Sequence, residues 1–309
     1  LFGSMVRDYV RLHELDGRRP NDRMVALMGD AELDEGNVFE ALLEGWKHDV
    51  RNLWWVIDYN RQSLDGVVHD YLFQRIADFF GSVGWKVVEI KYGKLLEAAF
   101  RKPGGKALQK WIDNCPNQLY AAMTFQGGAA WRTHLQDDLG TVTGIPALLD
   151  AHDDDALQRL MTNLGGHDMA ATLEAFASAG DDDTPHCFIA YTIKGFNTPL
   201  AGHKDNHSGL MNTDQMAGFK ASHNIREGHE WDAAEGLDVD AEALQAFLHD
   251  VPFAQRRAPD EVPVIPVETL HAPGGVQMSS QEAFGHILNE LGRGDSELAR
   301  HIVTTTPDV

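Results

Sequence analysis

The 309 residues carry 47 Asp and Glu against 26 Lys and Arg, a formal net charge of −21, with 43% hydrophobic and 24% charged side chains. That balance fits a globular protein with a sizeable core and argues against nucleic acid as a partner, since phosphate backbones demand clustered Lys and Arg. No apolar run approaches the roughly 18 residues of a membrane span, and no basic-then-apolar leader opens the sequence, so neither membrane insertion nor secretion is expected.

Only two cysteines occur, Cys115 and Cys187. They are too few for a disulfide framework or a thiolate metal cluster and are read as plain buried or half-buried thiols of a cytoplasmic protein. At about 150 residues per domain, the length favours two domains. The acidic runs Asp153–Asp155 and Asp181–Asp183 are expected to be solvated loops.

In chain order, apolar residues at helical spacing predict a first helix over Gly3–Glu14. Met24–Met28 reads as a fully buried parallel strand. A helix over Asn37–His48, a buried strand over Leu53–Ile57, a helix over Tyr71–Phe80 and a strand over Lys86–Ile90 follow. Residues 93–186 read as mostly helix and loop, and Phe188–Thr192 as a fourth strand. This alternation predicts an α/β doubly wound parallel sheet with helices on both faces. The seven tryptophans are assigned to the core. Residues 226–277 hold Pro252, Pro259, Pro263, Pro266 and Pro273 and read as a linker. Ser279 with Glu282 three residues on marks a new helix start. The chain opens without Met and ends just past a strand-like Ile302-Val303-Thr304, so it is read as a fragment of a longer chain.

The chemistry concentrates after the first two strands, in Gly29-Asp30-Ala31-Glu32 and Tyr59-Asn60-Arg61-Gln62. Thirty residues separate Asp30 from Asn60, the span of one loop, one crossover helix and one strand. In a right-handed βαβ unit both carboxyl ends open on the same edge, where ligands of such sheets bind. A carboxylate and an amide oxygen facing one point are hard donors of the kind Mg²⁺ takes beside phosphate oxygens. Gly29 lets a phosphate approach the backbone closely. The bland alternative is that Asp30 caps a turn and Asn60 starts one.

These segments resemble the thiamine diphosphate signature, Gly-Asp-Gly followed some thirty residues later by Asn. The stretches Gly29–Glu35 and Asn60–Gly66 are similar to the homodimeric pyruvate dehydrogenase E1 family within the transketolase superfamily. So are Phe79-Phe80-Gly81-Ser82-Val83-Gly84-Trp85, Asn163–Asp168 with its Gly-Gly-His-Asp, Thr192-Ile193-Lys194-Gly195-Phe196, and Ser279–Phe284. The resemblance implies a diphosphate-binding domain over 1–225, an interdomain linker over 226–277, and the start of a truncated pyrimidine-binding domain over 278–309. It implies thiamine diphosphate and Mg²⁺ as cofactors, with Asp30, Asn60 and the Gln62 carbonyl on the metal. Gly29, Ala31 and Glu32 would line the diphosphate, Lys194 would reach the cofactor or substrate end, and Asp308 would face the thiazolium side. It further implies a homodimer, a 2-oxo acid substrate such as pyruvate, and acyl transfer to a lipoyl-bearing E2 partner. The family's activating Glu lies beyond Val309, so residues 1–309 alone are expected to be inactive.

Two departures stand out. Ala31 replaces the second glycine of the signature, harmless if its φ is negative and costly if positive. The Pro199–Met211 loop carries His203 and His207 where the E1 family has a different sequence, and resembles transketolase there. Both are candidate catalytic proton-transfer residues, against the alternative of two solvent histidines. His167 is read as structural, and His13, His48, His69, His223 and His249 as surface. A transketolase-like ketol transfer between sugar phosphates, and a non-catalytic subunit of the same fold, stay open.

Overall fold

The computed structural model describes residues 2–13, 23–63, 66–251, 264–267, 269–271, 273–274, 277–302 and 304. It divides into two compact units, one ending at Ile225 and one starting at Arg226.

The first unit is built on four parallel strands: β1 (Met24–Gly29), β2 (Leu53–Tyr59), β3 (Lys86–Ile90) and β4 (His186–Tyr191), in the order β1-β2-β4-β3. Helix α1 (Phe2–Leu12) precedes β1, α2 (Gly36–Lys47) links β1 to β2, and α3 (Leu72–Ser82) links β2 to β3. Seven helices fill the long crossover from β3 to β4: α4 (Lys94–Phe100), α5 (Gly105–Asn114), α6 (Asn117–Gln126), α7 (Gly128–Leu139), α8 (Ile145–Asp150), α9 (Asp154–Met161) and α10 (Met169–Ser178); α11 (Thr213–Ser222) closes the unit.

Helices cover both faces of the sheet, as the strand–helix rhythm predicts. On one face Trp55, Ile57 and Tyr59 of β2 meet Leu42, Ile76 and Phe80 of α2 and α3, and this core runs on through Leu108, Trp131 and Leu157 of the crossover helices. On the other, Trp54 and Phe188 pack against Ala171, Phe176 and Ala179 from the α10 segment. Trp55 stands edge-on to Phe80 and Trp85 at 5.6 and 5.4 Å between centroids, a geometry favoured by the ring quadrupoles. β4 is buried along its whole length because it is inserted between β2 and β3.

The strand order corrects one expectation. β1 is an edge strand, not a fully buried one: Met24, Ala26 and Met28 face the core, whereas Val25 and Leu27 are 57% and 76% exposed. Continuous apolarity cannot tell an edge from a centre, because that depends on which later strand pairs alongside. The tryptophans divide as well. Trp54, Trp55, Trp85 and Trp131 are buried, but Trp46 on α2 and Trp231 are exposed. The acidic runs are mostly exposed and Asp181–Asp183 is a loop, as expected, but Asp154 and Asp155 open helix α9, and several of these carboxylates are engaged. Asp153 caps α9 by accepting the Ala156 amide, Asp154 pairs with Arg132, Asp182 pairs with Lys86 and Asp183 with Arg51.

The second unit holds α12 (Ala241–Asp250), α13 (Ser280–Arg293) and α14 (Glu297–His301). α12 lies inside the stretch read as linker. The Ser279 hydroxyl accepts the Glu282 amide at the start of α13, a sequence-legible N-cap. Ile302 and Thr304 form no strand; Val303, Pro252, Pro259, Pro263 and Asp308 lie outside the described residues. Among the described residues, no helix is long and apolar enough to cross a membrane.

Candidate functional site

β1 ends at Gly29, which stands in register with Asp58 of β2. Asp30 therefore leaves the sheet one position before the level of Asn60, on the shared carboxyl edge. Asp30 opens a short 3₁₀ turn, Asp30–Asp34, and is only 3% exposed. Its Oδ2 accepts the Arg61 amide at 2.8 Å. Asn60 in turn accepts the Gln62 amide on its Oδ1 at 3.0 Å. Two consecutive amides thus fix the two oxygen-bearing side chains to one turn. Arg61 adopts a left-handed conformation, φ 66°, which a non-glycine residue takes at a cost. Its guanidinium centre lies 4.2 Å from the Tyr120 ring centroid, which holds the residue in place.

β4 delivers the third side of the site. The Thr192 amide donates to the Tyr59 carbonyl at 3.1 Å, and the Thr192 hydroxyl donates to Asp58. His167 accepts the Ile193 amide on Nε2 at 2.8 Å and stacks on Phe196 with centroids 3.7 Å apart. Burial pushes its pKa down to about 4, so the ring is a neutral acceptor that positions the strand end. It serves the architecture, in keeping with the structural reading.

Electrostatics single out Asp30. Burial first, and then the nearby charge of Asp58, raise its pKa to about 6 against the opposing hydrogen bond from Arg61. Among the described residues no cationic side chain forms an ion pair with it. A buried carboxylate without a cation is costly in isolation and is neutralised by a proton or a metal ion.

The sequence-selected residues converge only in part. Asp30, Asn60, Gln62 and Lys194 come together: Asn60, Gln62 and Lys194 line one small cavity with Arg61, Asn117 and Thr124, and Asp30 joins through Arg61. His203 is half-buried against Phe125, 4.5 Å between centroids, with its Nδ1 accepting the Asp205 amide. His207 is exposed. Neither histidine hydrogen-bonds to Asp30, Asn60 or Gln62. Between them, Asn206 was not singled out by sequence, yet its Nδ2 donates to Gln62 Oε1 and to the Lys194 carbonyl, both at 3.0 Å. Attention to residues suited to proton transfer passes over an amide whose value lies in bridging.

No protein-family model matches the chain. Among curated proteins, the "Pyruvate dehydrogenase E1 component" of Cupriavidus necator is 27% identical over 319 aligned residues, covering 95% of this chain and 35% of that protein. The protein of the same name from Pseudomonas aeruginosa is 27% identical, covering 91% of this chain and 33% of its own length. That of Corynebacterium glutamicum is 28% identical over 62% of this chain. The chain is related to pyruvate dehydrogenase E1 components. It spans about a third of the length of the first two relatives.

The departures from the signature now have a geometry. Ala31 is not among the residues with positive φ, so its methyl imposes no backbone strain at the signature position. A Cβ built on Gly29 would meet no atom within 4 Å, and Gly29 itself has an ordinary φ of −77°. Glycine there is required neither by conformation nor by packing, which leaves the open space beside it as the physical reason for a small residue. Glu32 is exposed on the 3₁₀ turn, and Ala31 is half-buried. A buried carboxylate with no ion-pair partner among the described residues, an amide oxygen held on the same turn and an open backbone at Gly29 form a donor set that fits a hard divalent cation and a diphosphate.

Proposed function

We propose that this chain provides the metal- and diphosphate-binding part of a thiamine diphosphate-dependent 2-oxo acid dehydrogenase E1, acting on pyruvate. The observation that carries the reading is the pair Asp30 and Asn60, tied to one turn by the Arg61 and Gln62 amides at the carboxyl edge of parallel strands. The relatives' name supports the reaction class.

When bound, thiamine diphosphate supplies the nucleophilic carbon and the electron sink for decarboxylating a 2-oxo acid. Asp30 and Asn60, with the Gln62 carbonyl, would hold Mg²⁺, and the ion would neutralise the diphosphate. Gly29 and Ala31 would pass beside the diphosphate, with Glu32 at the rim and Lys194 near the cofactor or substrate end. The tight buried turn holds Asp30 and Asn60 in place before the ligand arrives, so little ordering is left for binding. Residues 1–225 would form the diphosphate-binding domain, 226–277 a connection, and 278–309 the start of the pyrimidine-binding domain. A homodimer and an acceptor lipoyl group on an E2 partner complete the proposal, with residues 1–309 inactive by themselves.

The test uses the full-length protein with Mg²⁺ and thiamine diphosphate. Calorimetry is expected to show metal-dependent cofactor binding, and CO₂ is expected to be released from pyruvate with an artificial electron acceptor. Asp30→Ala is expected to weaken cofactor binding by at least about 100-fold, the loss of a charged ligand to a metal. Bound cofactor without CO₂ release from any 2-oxo acid would redirect the assignment to ketol transfer between sugar phosphates. No cofactor binding at all would favour a non-catalytic subunit.

A further inference from the structure

We propose that Asn206 is a positioning residue for the cation-binding turn, acting through Gln62; the proposal rests on the functional reading above. Asn206 donates from one amide nitrogen to two acceptors, the Gln62 side chain and the Lys194 main chain. A main-chain carbonyl only accepts, so the Lys194 contact settles which end of the Asn206 amide points there. Asn206 Oδ1 is consequently turned away. It is buried and has no hydrogen-bond partner among the described residues.

That stranded acceptor matters for the interpretation. A buried unsatisfied amide oxygen costs free energy, so a residue kept only to stabilise the fold is poorly served by it. What Asn206 does accomplish is a connection. Gln62 is itself 7% exposed. Its side chain is gripped by Asn206, and its main-chain amide is the group that orients Asn60 Oδ1. Asn60 Oδ1 has two lone pairs, of which the Gln62 amide takes one and a metal ion could take the other. The Gln62 carbonyl, the third expected ligand, belongs to the same residue. Asn206 therefore sets the position of two expected donors without touching the metal. Through the Lys194 carbonyl it also fixes the end of β4 relative to that turn.

The neighbouring residues do not duplicate this role. His203 is engaged with Phe125 and the Asp205 amide, and His207 is exposed. The 199–211 loop therefore hydrogen-bonds to the cation-binding turn through the amide, and His203 reaches Gln62 only as a co-lining residue of a neighbouring cavity.

The experiment titrates Mg²⁺ into the full-length protein at fixed thiamine diphosphate, reading heat of binding and tryptophan fluorescence. Wild type, Asn206→Ala, Asn206→Leu, Gln62→Ala and the Asn206→Ala/Gln62→Ala double variant are compared, each with its thermal midpoint. Asn206→Ala and Gln62→Ala are each expected to weaken Mg²⁺ binding about tenfold, the usual scale for a lost supporting contact to a metal ligand. The double variant is expected to be no worse than either single one, because both act along one route. Asn206→Leu keeps the approximate size, removes the stranded Oδ1 and deletes both donations without burying a charge, so it is expected to lose affinity as Asn206→Ala does while leaving no cavity. This variant carries the test if Asn206→Ala fails to fold. Unchanged Mg²⁺ affinity in the Asn206 variants, or additive losses in the double variant, would overturn the proposal alone. Absence of Mg²⁺-dependent binding in the wild type would overturn the functional reading and this proposal with it.

Discussion

Two polar segments meet at the carboxyl edge of the sheet, and they are held there by different means. The Asp30–Asn60 turn is gripped from the inside: Asp30 is buried, two successive amides bind its two key oxygens, and Arg61 is anchored on Tyr120. The 199–211 loop is gripped at points: Gly202 lies against α6, and Asn206 reaches Gln62 and Lys194, while Lys204, His207 and Leu210 stay exposed. Function placed on the turn comes preorganised by the fold. Function placed on the loop has to come through its few anchors, and rich chemistry in an exposed side chain does not make it part of a site.

The two glycines on either side of this contrast give the largest expected effect. Gly202 has φ 75°, and a Cβ there would come 2.5 Å from the Ala121 carbonyl oxygen, a backbone atom. Gly202→Ala is expected to cost about 2–4 kcal/mol of stability, from left-handed strain plus a clash that cannot be relieved by a side-chain rotation. A urea melt checks it, and a variant as stable as the wild type would show that the loop is not anchored there.

Gly29→Ala is the counterpart on the turn. Its φ is ordinary and its Cβ would meet nothing, so stability is expected to stay within about 0.5 kcal/mol of the wild type. Thiamine diphosphate affinity is expected to fall about tenfold, because the added methyl occupies the space into which a diphosphate would come. The same melt and a cofactor titration separate the two glycines: one loses the fold, the other only the ligand. Unchanged affinity in Gly29→Ala would move the diphosphate away from this strand end.

Much of this contrast was legible in the amino-acid sequence, and the rest was not for definable reasons. The four strands announce themselves as short runs of aliphatic and aromatic residues. Asp30 and Asn60 fall on one edge because a parallel βαβ unit has little choice. Edge exposure at Val25 and Leu27 was not legible. It follows from β4 pairing on the inner side of β2 while no strand among the described residues pairs on the outer side of β1, a matter of residues far apart in the chain. The left-handed Arg61 was hidden for a similar reason, since Tyr120, which steadies it, lies on a helix of the long crossover. Asn206 carried no motif; its partners, Gln62 and Lys194, follow two different strands.

Histidine burial gives a subtler separation of the regions. His167 has its pKa lowered to about 4 from 6.5 by burial. Below pH 6.5 the unfolded chain takes up this proton first, so stability is expected to fall as pH drops from about 6.5 towards 4. Asp30, with its pKa raised to about 6, tilts the curve the other way. Comparing wild type with His167→Gln isolates the histidine: the variant is expected to lose less stability between pH 7 and pH 5 in urea melts. Equal slopes would mean that His167 is open to protonation in the folded protein.

The smallest expected effect is the sharpest test of the loop. His207 was selected because an imidazole in a Gly-flanked polar loop suits proton transfer, yet it is exposed and forms no hydrogen bond to Asp30, Asn60 or Gln62. His207→Ala is expected to leave both the melting midpoint and the Mg²⁺-dependent affinity for thiamine diphosphate unchanged, because an exposed side chain with no partner among the described residues contributes little to either. If affinity instead drops more than about threefold, the loop must rearrange when the ligand binds and bring His207 inward. The contrast between a preformed turn and a point-anchored loop would then describe only the unliganded molecule, and turnover would have to be measured in His203→Ala and His207→Ala to learn which imidazole reaches the substrate.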